Sequence, residues 1–127
     1  MKIEFGYGCG SQTLCVPDEN VLGVLQQNEL ALPEKTAREL VAEAIAHPIG
    51  CPPLREIVHR GEKIAIVTSD ITRPLPSYEI LPELLRALFA CGVEAADVTV
   101  VFAIGSHRRH TPEEMRQLAG DYAFETV

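Results

Sequence analysis

No stretch of the chain approaches the ~20 consecutive apolar residues that a membrane-spanning helix requires. The opening Met1-Lys2-Ile3-Glu4-Phe5-Gly6 lacks the apolar segment of a secretory signal. A cytoplasmic protein is therefore expected. Basic residues are outnumbered, 11 against 18 acidic ones, for a formal charge of −7. That balance argues against nucleic acid and anionic membrane as partners, since both repel a net-acidic surface. The four cysteines, Cys9, Cys15, Cys51 and Cys91, share no repeated spacing and form no CxxC pair. A zinc site is not expected from them, and reduced, mostly buried thiols are. Lysine is confined to Lys2, Lys35 and Lys63.

What is present is a globular composition. Hydrophobic residues make up 46% and charged residues 23% of 127 residues, far from a disordered profile and long enough for one domain with its own core. Residues 1–16 read as a β-hairpin: Ile3, Phe5 and Tyr7 alternate, Gly6, Gly8 and Gly10 supply the turn, and Thr13–Val16 returns. The Gly-x-Gly-x-Gly spacing is not a phosphate loop, because no amphipathic helix and no Lys-Ser/Thr pair follow it. Residues 17–60 read as a helical segment. A short helix is predicted over Val21–Leu25 with Asn20 as its cap, and a firmer one over Pro33–Ala46 with an apolar stripe from Ala37 to Ile45. A rigid Pro48–Pro53 connector then leads to a short segment at Leu54–His59. His47 and His59 are read as structural or surface residues.

Residues 61–127 carry a βαβα pattern. Ile64–Val67 is a continuous apolar run, the mark of a parallel strand covered on both faces. A helix with Ile80, Leu81, Leu84, Leu85 and Leu88 on one face follows, irregular near Pro82 and stopped by Gly92. Val98–Ala103 is the next strand. Thr111, Pro112 and Glu114 form a capping box with proline at the first helical position, and Gly120 ends that helix. Tyr122–Val127 reads as the start of another strand, with an exposed edge near Phe124 and Val127, and suggests a cut piece of something larger. The fold class predicted is α/β: an open Rossmann-like parallel sheet built on a βαβ unit, with an N-terminal β-hairpin.

In open α/β sheets, ligands bind outside the carboxyl ends of the strands. Two polar clusters fall there: Thr68-Ser69-Asp70-Ile71-Thr72-Arg73-Pro74 and Gly105-Ser106-His107-Arg108-Arg109-His110. With parallel strands, a carboxylate, an arginine and a histidine would share one cleft. Asp70 either caps its own loop or lines the pocket. Arg73 either pairs with Asp70 or a helix end, or holds a substrate carboxylate through its planar fork. His107 stands in a Gly-containing loop, away from an apolar face, which favours proton transfer over core packing. Arg108, Arg109 and His110 either welcome an anion at a helix N-terminus or form a solvated basic turn answering Glu113 and Glu114.

Ser69-Asp70-Ile71-Thr72-Arg73-Pro74-Leu75-Pro76-Ser77 closely resembles the S-D-x-T-R-P-x-P-S segment of nickel-pincer-dependent lactate racemases and related 2-hydroxy-acid racemases and epimerases. Gly105-Ser106-His107-Arg108-Arg109-His110-Thr111-Pro112-Glu113-Glu114 resembles their G-x-H-R-x-x-T-x-E-E segment, in the same order and after consecutive strands. The resemblance extends over the proline-rich connector and so most of the chain. It implies a hydride taken from C2 of a 2-hydroxy acid by a nickel-pincer nucleotide (pyridinium-3,5-bisthiocarboxylic acid mononucleotide nickel). His107 matches a catalytic histidine that exchanges the hydroxyl proton, Arg73 and Asp70 match substrate-pocket residues, and Thr72 and Arg108 fall toward the cofactor. No metal ligand is assigned in this chain. The tethering lysine, the nickel-binding histidine and a second catalytic histidine have no counterpart here and are expected beyond Val127, so the missing C-terminal part of the enzyme is the main implied partner. A homo-oligomer is also compatible with the reading. At positions 71, 109 and 110 relatives vary. The alternative is a stand-alone, non-catalytic carboxylate- or phosphate-binding module built on Arg73 and Arg108.

Overall fold

A computed structural model describes residues 1–73 and 75–127. Pro74, part of the first motif, lies outside the described residues. The chain divides into two compact units, Met1–Pro33 and Glu34–Val127.

In the first unit, strands β1 (Lys2–Tyr7) and β2 (Gly10–Cys15) pair antiparallel from Lys2↔Cys15 to Tyr7↔Gly10. This leaves a two-residue turn, and its first position is Gly8 at φ 58°, a conformation that glycine adopts without steric cost. The amino terminus donates to the Val16 carbonyl and ion-pairs with Asp18, closing the open end of the hairpin. No helix forms over Val21–Leu25; a single 3₁₀ turn at Asp18–Asn20 stands instead. Five residues interrupted by Gly23 offer too few backbone bonds to offset helix nucleation. Leu22 and Leu25 are fully exposed there.

The second unit begins with helix α1 (Ala37–Ala46), four residues later than the proline-based prediction. Thr36 is the actual cap: its hydroxyl accepts from the Glu39 N–H, and the Glu39 carboxylate accepts from the Thr36 N–H. A reciprocal capping box satisfies two helix-end donors, which Pro33 cannot do. Helix α2 (Leu54–Ile57), strand β3 (Ile64–Ser69), helix α3 (Ser77–Ala90), strand β4 (Val98–Ala103), helix α4 (Pro112–Ala119) and helix α5 (Asp121–Thr126) follow.

β3 and β4 pair parallel, from Ile64↔Val98 to Ser69↔Ala103. Ile64, Ile66, Val98, Val100 and Phe102 pack on the cluster formed by Leu81, Leu85 and Leu88 of α3 with Val93, Ala119 and Ala123. The expected burial on both faces does not hold. Val67 is 68% exposed and Val101 is exposed with it, because helices cover only one side of this two-stranded sheet. α3 runs through Pro82 without a break. Its first residue, Ser77, is buried, with its hydroxyl 2.5 Å from that of Thr68 at the end of β3.

Two further expectations are corrected. Residues Tyr122–Val127 form no strand; α5 occupies Asp121–Thr126. Ala119, Ala123 and Val127 recur every four residues and pack against the α3 cluster, so the helical period wins over the alternation of Tyr122 and Phe124. The predicted sheet edge at Phe124 and Val127 goes with it. The thiols are not mostly buried either: Cys9, Cys15 and Cys51 are exposed and Cys91 is half-buried. Cys9 stands in the hairpin turn and Cys15 ends β2, whose residues are all exposed. Among the described residues, no helix is long and apolar enough to cross a membrane.

Candidate active site

The parallel register ends at Ser69↔Ala103, so the loops leaving β3 and β4 start side by side at one sheet edge. Asp70 is the first residue past β3 and is only 3% exposed. Its Oδ1 accepts from the Thr72 backbone N–H at 2.8 Å and from the Thr72 hydroxyl at 2.6 Å. Its Oδ2 is hydrogen-bonded to Nδ1 of His107, from the other loop. One oxygen thus closes the Asp70–Thr72 turn, and the other meets His107 beside the hollow. The Thr72 hydroxyl is the chief cause that holds the Asp70 carboxyl down at about 2; the Thr72 N–H and His107 add to it, against the opposing effect of burial.

His107 is placed by a tight turn. Its N–H donates to the Ile104 carbonyl at 2.9 Å, with Gly105 at φ 56° between them. The side chain is 47% exposed. An ionised carboxylate only accepts, so in the neutral ring the His107 proton sits on Nδ1 and the lone pair is left on Nε2. This is the geometry by which a buried carboxylate fixes the tautomer of a working histidine.

Asp70, Ile71, Thr72, His107, Arg108 and His110 line a hollow of about 280 Å³. Arg73 is exposed and is not among them. It lines a neighbouring hollow with Ile71, Leu75, Pro76, Tyr78, Gln117 and Leu118. Arg108 makes a bidentate pair with Glu114, at 2.7 and 2.8 Å, and donates to the Arg109 carbonyl. Glu114, which also accepts from the Thr111 N–H, is held at about 2, first by Arg108 and then by that backbone bond. Arg108 is thus answered within the chain by Glu114, the part of the basic-turn reading that holds. A carboxylate, a histidine and an arginine thus share one hollow, but its arginine is Arg108, paired with Glu114, while Arg73 stands next door.

His110 departs from the solvated basic turn expected of it. It is 8% exposed, its Nε2 accepts from the Ile71 N–H at 3.3 Å, and its ring stands edge-on to Phe102. Position 110 lies one residue before a helix cap, and nothing in the local sequence signals that its ring turns inward. Among the described residues, no group of three or more His, Cys, Asp or Glu is gathered for a metal ion. Lys63 precedes β3, at the opposite end of the sheet, and pairs with Asp97.

The family model of the lactate racemase N-terminal domain matches residues 7–127. The chain is 33% identical over 121 residues to a lactate racemase of Thermoanaerobacterium thermosaccharolyticum, covering 94% of this chain and 28% of that protein. It is 33% identical over 122 residues to the lactate racemase of Lactiplantibacillus plantarum, covering 95% and 28%. The solved structure of the Thermoanaerobacterium lactate racemase apoprotein superimposes with a TM-score of 0.75 at 31% identity, over 96% of this chain and 28% of that one. The chain thus spans a little over a quarter of the length of these relatives.

Proposed function

The chain belongs to the lactate racemase N-terminal domain family, and from that premise we propose that it supplies the proton-handling side of a 2-hydroxy-acid racemase or epimerase. One observation carries the reading: the ionised, buried Asp70 holds His107 by Nδ1 at the carboxyl edge of a parallel sheet, beside a hollow. Inverting C2 of a 2-hydroxy acid through a keto intermediate requires a base on the hydroxyl oxygen. His107 Nε2 takes that proton and returns it, and Asp70 keeps the tautomer that makes Nε2 the base. Arg73, in the adjoining hollow, is the group for the substrate carboxylate, a planar fork suited to bidentate pairing.

In the complete enzyme, a nickel-pincer nucleotide would supply the hydride acceptor. The described residues of this chain do not fit its covalent tether or its nickel ligands. No lysine stands at the hollow, no ligand set is gathered, and the Thr72 hydroxyl and Arg108 are committed to Asp70 and Glu114. Both anchors therefore belong to other parts of the enzyme, and the chemistry assigned to this chain is confined to its own proton and carboxylate contacts. The pairing of Arg108 with Glu114 also weighs against a stand-alone anion-binding module.

A chimaera tests the proposal. This chain replaces the matching 28% of the Thermoanaerobacterium racemase, and lactate racemisation is followed by chiral chromatography. The chimaera is expected to turn over, and His107→Ala to lower kcat by about 10²–10⁴-fold. The 127 residues alone, with cofactor added, are expected to be inactive. A folded chimaera in which His107→Ala is as fast as its parent overturns the assignment.

A further inference from the structure

His110 is the buried titratable group that the proposed chemistry leaves unused. It ends the loop after β4, immediately before the Thr111 cap of α4, and is 8% exposed. Its ring centroid lies 5.6 Å from that of Phe102, edge-on at 81°, which fixes the ring plane. Nε2 accepts from the Ile71 backbone N–H at 3.3 Å. An accepting ring nitrogen carries no proton, so neutral His110 bears its proton on Nδ1, a buried atom without a partner among the described residues. Turning the ring over would put a carbon against Ile71 and leave a backbone donor unmatched, a costly arrangement.

Ile71 directly follows Asp70. The β3–α3 loop and the β4–α4 loop are therefore joined twice, at adjacent positions in the first loop: Asp70 to His107, and Ile71 to His110. One such bond is a pivot about which the imidazole of His107 can swing with its carboxylate. Two bonds from neighbouring residues fix the relative placement of the loops. We propose that His110 is a positioning residue: its Nε2 anchors the Asp70 turn so that His107 Nε2 is presented to the hollow in one orientation. This rests on the reading of His107 as the acid/base.

The test is nuclear magnetic resonance of this chain with ¹⁵N-labelled histidine at about pH 8, above the ordinary histidine range. His110 is expected with the proton on Nδ1 and a coupling between Nε2 and the Ile71 amide. His110→Phe keeps the aromatic shape and removes the acceptor. It should speed exchange of the Ile71 amide at least ~10-fold and erase the protected Nδ1 proton signal of His107. His110→Gln, whose amide oxygen extends about as far as Nε2, should restore both. A wild-type His110 protonated on Nε2 overturns the proposal, and that measurement stands even if His110→Phe fails to fold. So does a His110→Phe chain in which the His107 signal persists, whether or not Ile71 loses protection, or a failed rescue by glutamine. None of these readouts needs turnover, so an inactive chimaera would count against the racemase reading and leave the anchoring of His107 by His110 standing.

Discussion

Asp70 carries two kinds of bond on its two oxygens, and that division explains why one residue satisfies both a structural and a chemical reading. Asp70→Asn separates them. The amide oxygen can still accept from Thr72, but its NH₂ group would donate to His107 Nδ1 and push the proton onto Nε2, the wrong tautomer for a base. In the chimaera we expect kcat to fall by about 10²–10⁴-fold, measured as the rate of lactate racemisation. The same substitution reports the linkage to pH. The carboxyl is lowered from an ordinary 3.8 to about 2, so its stabilisation is fully present above pH 3.8 and is lost as pH falls towards 2. Wild type should exceed Asp70→Asn in urea stability at about pH 5, and the margin should shrink between about pH 4 and 2. A margin that does not change down to about pH 2 would show that Asp70 is not held low. The motifs made Asp70 and His107 legible in sequence. The pairing of Arg108 with Glu114 was legible too, as one of two readings of the basic turn, whereas the inward turn of His110 was not.

At the scale of elements, short-range chemistry is the reliable guide. The capping box of Thr111 and Glu114 sets the start of α4 as expected. The same box at Thr36 and Glu39 is masked in sequence by the more conspicuous Pro33. Gly120 stops α4 as its residue type implies, but its tight junction with the next helix is a tertiary matter. It adopts φ 79° and ψ 155°, a region nearly closed to other residues. A Cβ there would lie 3.2 Å from the Tyr78 Cβ and 3.3 Å from the Tyr78 Cα and carbonyl oxygen. Gly120→Ala should cost about 1–3 kcal/mol from the backbone conformation alone, read from the shift in a denaturation midpoint. An unchanged midpoint would mean that the α4–α5 junction is not packed on α3 as described. The strand predicted over Tyr122–Val127 failed for a related reason. So short a segment allows two periods, and only contact with α3 selects between them.

For the whole molecule, the two units differ in how their backbone bonds are protected. β3, β4 and α3 share an apolar cluster, whereas the hairpin has only Ile3 half-buried between its strands and leaves Phe5, Tyr7 and Leu14 exposed. A two-stranded hairpin without a packed face is marginal in water. Hydrogen exchange of the chain should therefore find the amides of β1 and β2 the least protected of the strand amides, and those of β3, β4 and α3 the most. Comparable protection in both would show that the hairpin is covered. By itself the sequence determined the parallel strands, the helix capped by Thr111 and Glu114, the leucine face of α3 and the two polar clusters. Each of these depends on residue types within a few positions of one another. Only the tertiary structure decided that Asp70 meets His107 and Ile71 meets His110, pairs 37 and 39 residues apart. It also decided that Arg73 lines a separate hollow and that one sheet face stays open. Those outcomes follow from the register of β3 on β4 and from which layer packs on which face, and neither is encoded in any single segment.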